Sequence, residues 1–293
     1  MTGPRPQLSA AVAFALLSLA CAGVTDVVFK RFSQANQSRG LYVLGIGLTW
    51  TIIQSAILLA TGNGLRLDAQ TVAFGLVAGL LVAISNTLLI ESLTHIDVGL
   101  GSTIYRLNTI AVVVMAVLLL DEPLTGLKLT GVLLGMGAVI LLFERHHEHA
   151  EARNAFLLFF GLVLLASLLR ACFGILSKVA VLRGVDLKAM LVVNAPVWIA
   201  VGAIYAWWRH EGMRVTESTL KYAVVSGALI CGVANFLMLA VERGQASVVV
   251  PIANMSFLVA LLISAALGME RLTPRKLTAV ALTVAAIAVL TQA

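Results

Sequence analysis

The chain has 293 residues, 60% of them hydrophobic and only 12% charged, with a mean hydropathy of +1.00. Soluble domains carry about 25% charged residues, so this composition cannot furnish a water-facing surface, and lipid is the solvent it fits. The formal charge of +6 comes from basic residues scattered singly between apolar runs, which suits helix ends at lipid headgroups and excludes the basic stripe of a nucleic-acid binder.

Crossing about 30 Å of hydrocarbon takes about 20 apolar helical residues. On that rule ten segments follow one another: 8–29, 41–61, 71–93, 99–120, 126–143, 155–180, 187–208, 219–241, 247–268 and 274–291. The first resembles a signal peptide, with Arg5 ahead of an apolar run and small residues at 20–23, but the run continues to Phe29 and is long enough to span. The connections are short and leave no room for a soluble domain. Pro123 and Pro274 stand just before the fifth and tenth segments, where a missing N–H costs nothing, while Pro196 inside the seventh predicts a kink. Gly75-xxx-Gly79 and Gly131-xxx-Gly135 permit close helix approach.

The most polar connection, 144–153 (ERHHEHAEAR), falls at the midpoint and reads as a linker. Its His146, His147 and His149 read as solvated side chains and not as a metal cluster. Cys21, Cys172 and Cys231 lie in apolar runs without paired spacing, which argues against disulfides and a Cys-based metal site. No cofactor or metal is expected.

An internal repeat carries most of the information. EPLTGLKLT at 122–130 matches ERLTPRKLT at 270–278, with six of nine residues identical at an offset of 148. The same offset relates Lys30 to Lys178 and Arg106 to Asn254; Asn86 and Asn235 pair at 149. Five crossings per copy is an odd number, so the second copy enters the membrane from the opposite side. The expected fold is an all-α integral membrane protein of ten transmembrane helices, in two inverted five-helix repeats at residues 1–148 and 149–293. Secondary transporters use that design to alternate access to a midplane site.

Gly244-Gln245-Ala246-Ser247, Pro251-Ile252-Ala253-Asn254 and the closing ERLT of 270–273 together resemble the carboxy-terminal signature of the EamA-type drug/metabolite transporter superfamily. The first half repeats the pattern more loosely from Asn86 to Thr125. The resemblance covers essentially the whole chain and implies a transporter of small metabolites, with four helices of each half around a central cavity and the fifth peripheral, supporting homodimer or scaffold contacts. One stretch, Tyr105-Arg106-Leu107-Asn108, departs from the family pattern, which has apolar and small residues leading toward a proline.

Arg106 falls inside the fourth segment, where a charge costs about 2.5–3.5 kcal/mol, so it needs a wet cavity or a partner. As a substrate anchor its guanidinium suits a carboxylate or phosphate; as a structural group it pairs with Glu91 or Asp97. Tyr105 and Asn108 are its companions. Arg170 in the sixth segment poses the same choice, with Asp26 its structural partner. Asp26 and Lys30 form an i, i+4 pair. Asp26 and Glu91 are the titratable groups a proton-coupled carrier would use, and Lys178 is a further ion-pair candidate. Asn86 and Asn235 either bond between helices or line the cavity, as does Asn254. Trp50 and Trp198 in the second helix of each half could wall it, while Trp207-Trp208 reads as an interfacial belt.

These readings converge on a secondary transporter for a small polar metabolite with an anionic group, in a plasma (bacterial inner) membrane. The alternative is an amine or cation carrier with Glu91 and Asp26 as counter-charges. No catalytic constellation falls inside the helices, so an enzyme is not expected. Loop Lys and Arg residues number 11 on the side facing away from the termini against 7 on the other, which favours termini outside, whereas the resemblance implies cytoplasmic termini and is given more weight.

Overall fold

A computed structural model of the protein describes residues 5–33, 37–61, 67–92, 104–141, 153–209, 215–269 and 272–293. Asp97, the histidines of the linker, and Glu270 with Arg271 lie outside them. Among the described residues the regular elements are all α-helices: α1 (Arg5–Ser33), α2 (Arg39–Ala60), α3 (Ala69–Ser92), α4 (Asn108–Leu120), α5 (Gly126–Leu141), α6 (Arg153–Leu182), α7 (Leu187–Trp208), α8 (Glu217–Arg243), α9 (Ala246–Asn254), α10 (Phe257–Ala266) and α11 (Pro274–Leu290). Seven spans are long and apolar enough to cross a membrane, α9 and α10 together forming one of them, and α4 and α5 are shorter apolar helices.

Local chemistry sets the helix starts. Ser38, Asp186 and Thr216 accept backbone N–H bonds from the first turns of α2, α7 and α8, satisfying donors that have no partner within the helix. Asp68 does the same for Thr71 (2.6 Å) ahead of α3, and those bonds hold its carboxyl below the ordinary carboxylate range. The threonines of the repeated block have this task too. Thr125 accepts from Lys128 N and Thr273 from Lys276 N, each at 3.3 Å.

Two segments that read as continuous on hydropathy are broken. The described part of 99–120 is helical at Ile104 and Tyr105, turns at Arg106–Leu107, and resumes as α4. The segment 247–268 turns at Met255–Ser256, between α9 and α10. Hydropathy counts apolar side chains and does not register where backbone carbonyls turn to other partners.

The principal packing pairs are α1 with α8, α3 with α6, α2 with α7, α5 with α11, α3 with α7, α2 with α8, and α4 with α9. In each pair one helix comes from the first half of the chain and the other from the second. Glycines bring them close. A methyl at Gly40 would sit 2.5 Å from Ala206 Cβ, at Gly47 2.6 Å from Ile199 N, and at Gly75 and Gly79 2.6 and 2.8 Å from Val193 and Val197 Cβ. The same holds at Gly131, 2.6 Å from Leu290 Cγ. The helix α7 continues through Pro196.

Trp50, Trp198 and Tyr42 are enclosed at the centre, the two tryptophans edge to face with centroids 5.9 Å apart. Outward, Ile52, Leu59, Leu118, Leu119, Leu133 and Ile204 are each more than 60% exposed. So broad an apolar surface would drive association in water and is the ordinary outer face of a bundle in lipid. Trp207 and Trp208, 78% and 67% exposed at the end of α7, have the amphipathic character of a headgroup-level belt.

Candidate functional site

The two broken segments meet. Arg106, at the turn before α4, sends Nη1 to the main-chain carbonyl of Asn254 and to Ser256 Oγ (3.0 Å), and Nη2 to Asp26 Oδ2 (2.6 Å). Ser256 Oγ also donates to Asp26 Oδ2, at 2.9 Å. The Asn254 carbonyl ends α9, where helix geometry leaves acceptors without partners and the dipole favours a cation. Arg106 answers both needs. The Phe257 ring covers its guanidinium, 5.2 Å from centroid to Cζ. Alongside, Asn254 Nδ2 donates to Asn108 Oδ1 at 2.7 Å, so a polar seam joins the first residue of α4 to the last of α9.

Next to this seam lies a cavity of about 80 Å³, room for a few waters. Arg106, Asp26, Tyr105, Asn108 and Asn254 line it, as do Asn86, Arg170 and Trp198 from α3, α6 and α7. Tyr105 is steadied by Ser85, whose hydroxyl is 3.2 Å from its own and bonds Ala166 O at 2.7 Å. Asn86 Nδ2 donates one turn back to Val82 O. Arg170 lies over the Phe173 ring, 5.3 Å from its centroid. Trp198 is wholly enclosed, and its Nε1–H has no hydrogen-bond partner among the described residues.

The other candidate residues are placed elsewhere. Trp50 and Asn235 belong to a buried cluster around Gln54, which accepts from Asn235 Nδ2 (2.8 Å) and Trp50 Nε1 (3.4 Å). Glu91, in the last turn of α3, is held by Arg39, by Arg209 (3.0 Å) and by the Tyr205 hydroxyl (2.5 Å). Those four residues tie the ends of α2, α3 and α7. Lys178 donates to Val241 O (2.9 Å) and Gly244 O (2.6 Å) at the close of α8. Lys30 sits in the last turn of α1 and does not line the cavity; Asp26 is engaged by Arg106 instead.

Three residues that sequence reasoning passed over have clear tasks. Gln54 is one, and an isolated amide in an apolar helix was a signal of the same kind as Asn86. Ser256 is another, 148 residues after Asn108. The third is Glu122, first residue of the repeated block. Its carboxylate accepts from Ala246 N (2.8 Å) and Ser247 N (2.9 Å), and from the Ser247 hydroxyl, capping α9. Gly244-Gln245-Ala246-Ser247 is therefore clasped by Lys178 on one side and Glu122 on the other. Among the described residues no group of three or more His, Cys, Asp or Glu could hold a metal ion.

Comparisons agree with this architecture. A solved crystal structure, of a protein described without activity or organism, shares 16% identity over 96% of this chain and 96% of its own, with a TM-score of 0.81; at that identity the likeness concerns the fold. No match is found among curated proteins. Residues 9–144, just under half of the chain, match the EamA-like transporter family, part of the drug/metabolite transporter superfamily, and among the described residues seven helical spans are long and apolar enough to cross a membrane.

Proposed function

We propose that the protein is a secondary carrier of a small polar metabolite bearing an anionic group, which binds in the cavity beside the two helix breaks. The observation that carries this reading is the charge of the wall: among the described residues, two arginines, Arg106 and Arg170, against the single carboxylate of Asp26. Cationic solutes find little there. Asp26 is already paired with Arg106, and Glu91, the other counter-charge an amine carrier would use, lies outside the cavity among Arg39, Arg209 and Tyr205.

Two inverted five-helix units, 1–148 and 149–293, with ten crossings complete the proposal. It is supported by the packing, whose pairs exchange with one another when the halves are swapped: α1 with α8 answers α6 with α3, and α2 with α8 answers α7 with α3. The polar seam behaves likewise. Arg106 bonds Ser256, and Asn254, 148 residues after Arg106, bonds Asn108, 148 residues before Ser256. Access would alternate by rocking of these units about the seam, in the plasma membrane. Thermal-shift measurements on the purified protein against anionic and cationic metabolites test the reading, because ligands of the folded state raise its melting temperature. Stabilisation by anions is expected, followed by their uptake or efflux in proteoliposomes. Stabilisation by amines alone removes the proposal.

A further inference from the structure

We infer that Arg170, and not Arg106, binds the solute's anionic group, and that Arg106 serves as a strut between the helix breaks. The assignment rests on the anionic reading above and names the residue that would carry it.

Arg106 has little left to offer a ligand. Its Nη1 and Nη2 are engaged by Asn254, Ser256 and Asp26, Phe257 covers a face, and its Nε, though without a partner, is buried. Asp26 also balances its charge. Arg170 differs in its charge balance and in its donors. Among the described residues it pairs with no carboxylate, and its contact is with the Phe173 ring on its own helix. A ring contact engages the flat face of a guanidinium and leaves the in-plane N–H donors for a carboxylate or phosphate. Ala22, 148 residues earlier, also lines the cavity, so the wall is approached at this place from both halves. With Asp26 ionised the lining has one positive charge in excess, and a solute with one net negative charge neutralises it. Trp198, whose buried Nε1–H has no partner among the described residues, lines the same wall.

The test uses the full chain in lipid nanodiscs. Phenylglyoxal, which condenses with accessible guanidinium groups, is applied with and without benzoate or inorganic phosphate, and adducts are located by peptide mass spectrometry. Arg170 is expected to react and to be protected by an anion, with Arg106 spared. In parallel, melting temperatures are titrated with lactate, benzoate and phosphate. Arg170→Gln should melt near wild type without anions and respond to them with an apparent affinity lower by about tenfold or more. Arg106→Gln combined with Asp26→Asn, which removes the strut and keeps the wall's one excess positive charge, should melt lower and keep the response; if it fails to fold, the labelling and Arg170→Gln still decide. Protection of Arg106 instead of Arg170, or an unaltered response in Arg170→Gln, overturns the assignment alone. A wild type that no anion protects or stabilises overturns the anionic reading and the assignment with it.

Discussion

The two halves of the chain furnish the cavity unequally, and the difference turns on whether a polar side chain finds its partner inside the protein. In α2, Gln54 takes the Trp50 indole N–H and the Asn235 amide, and both are withdrawn from any ligand. The residue 148 positions on is Gly202. It has no side chain to offer Trp198, one turn away, whose Nε1–H stays unpartnered at the cavity, and Asn86 of α3 remains in the lining. The charges follow the same rule. Arg106 meets Asp26, whereas Asn254 and Gly174, each 148 residues further on, are neutral. On the proposed reading, recognition falls where one polar cluster closes its hydrogen bonds and its counterpart 148 residues on does not.

Six substitutions probe that contrast, the largest effect first. Gly202→Ala would set a methyl against the Leu44 backbone and 2.8 Å from Gly40 O, where nothing flexible can yield. It should cost about 3 kcal/mol or more, seen as a large drop in melting temperature; a mild effect would mean that the α2–α7 crossing can adjust and that glycine is not required there. Arg106→Ala leaves Asp26 uncompensated. Removing one partner of a fully buried pair costs about 3–5 kcal/mol, but the Asp26 side chain is 36% exposed, so about 2 kcal/mol is expected after screening. Adding Asp26→Asn should restore part of that loss, and failure to do so would separate the two residues energetically. Gln54→Ala strands the Trp50 donor and takes one of two acceptors from Asn235, whose Nδ2 also donates to Cys231 O, and should destabilise by about 1–2 kcal/mol with anion affinity unchanged in titration. Trp198→Phe removes a buried N–H that no described group accepts and should leave stability near wild type, while Trp50→Phe takes a donor from Gln54 and should cost about 1 kcal/mol. Equal effects at the two tryptophans would erase the contrast.

Much of the fold was legible because lipid imposes a length on every crossing. The ten apolar segments fall on the observed helices to within a few residues, and the glycine spacings mark close approaches. The repeated block was legible too, yet not its purpose: Thr125 and Thr273 cap the helices that follow them, and Glu122 caps α9 across the bundle. What escaped is tertiary in origin. Local spacing paired Asp26 with Lys30, whereas the fold brings it Arg106 from 80 residues away. Lys128 counted as a loop cation but is fully buried, donating to Pro123 O at 2.7 Å. The helix breaks at Arg106 and Met255 escaped because a break in mid-membrane depends on who receives the freed carbonyls, and that is settled by side chains far along the chain.

Arg170 lies near the middle of the span Leu157–Leu182, and its charge, which no carboxylate among the described residues matches, would bear on voltage in the proposed carrier. In a carrier whose cavity opens to one side and then the other, an empty site with one excess positive charge senses the membrane field, at about 2.3 kcal/mol per elementary charge for a full 100 mV drop. A site filled by a monoanion does not. A potential negative on the cytoplasmic side would then draw the empty carrier to face inward and leave the loaded step untouched, so outward traffic of the anion would quicken with polarisation, and the charge movement would appear as a transient current that substrate abolishes.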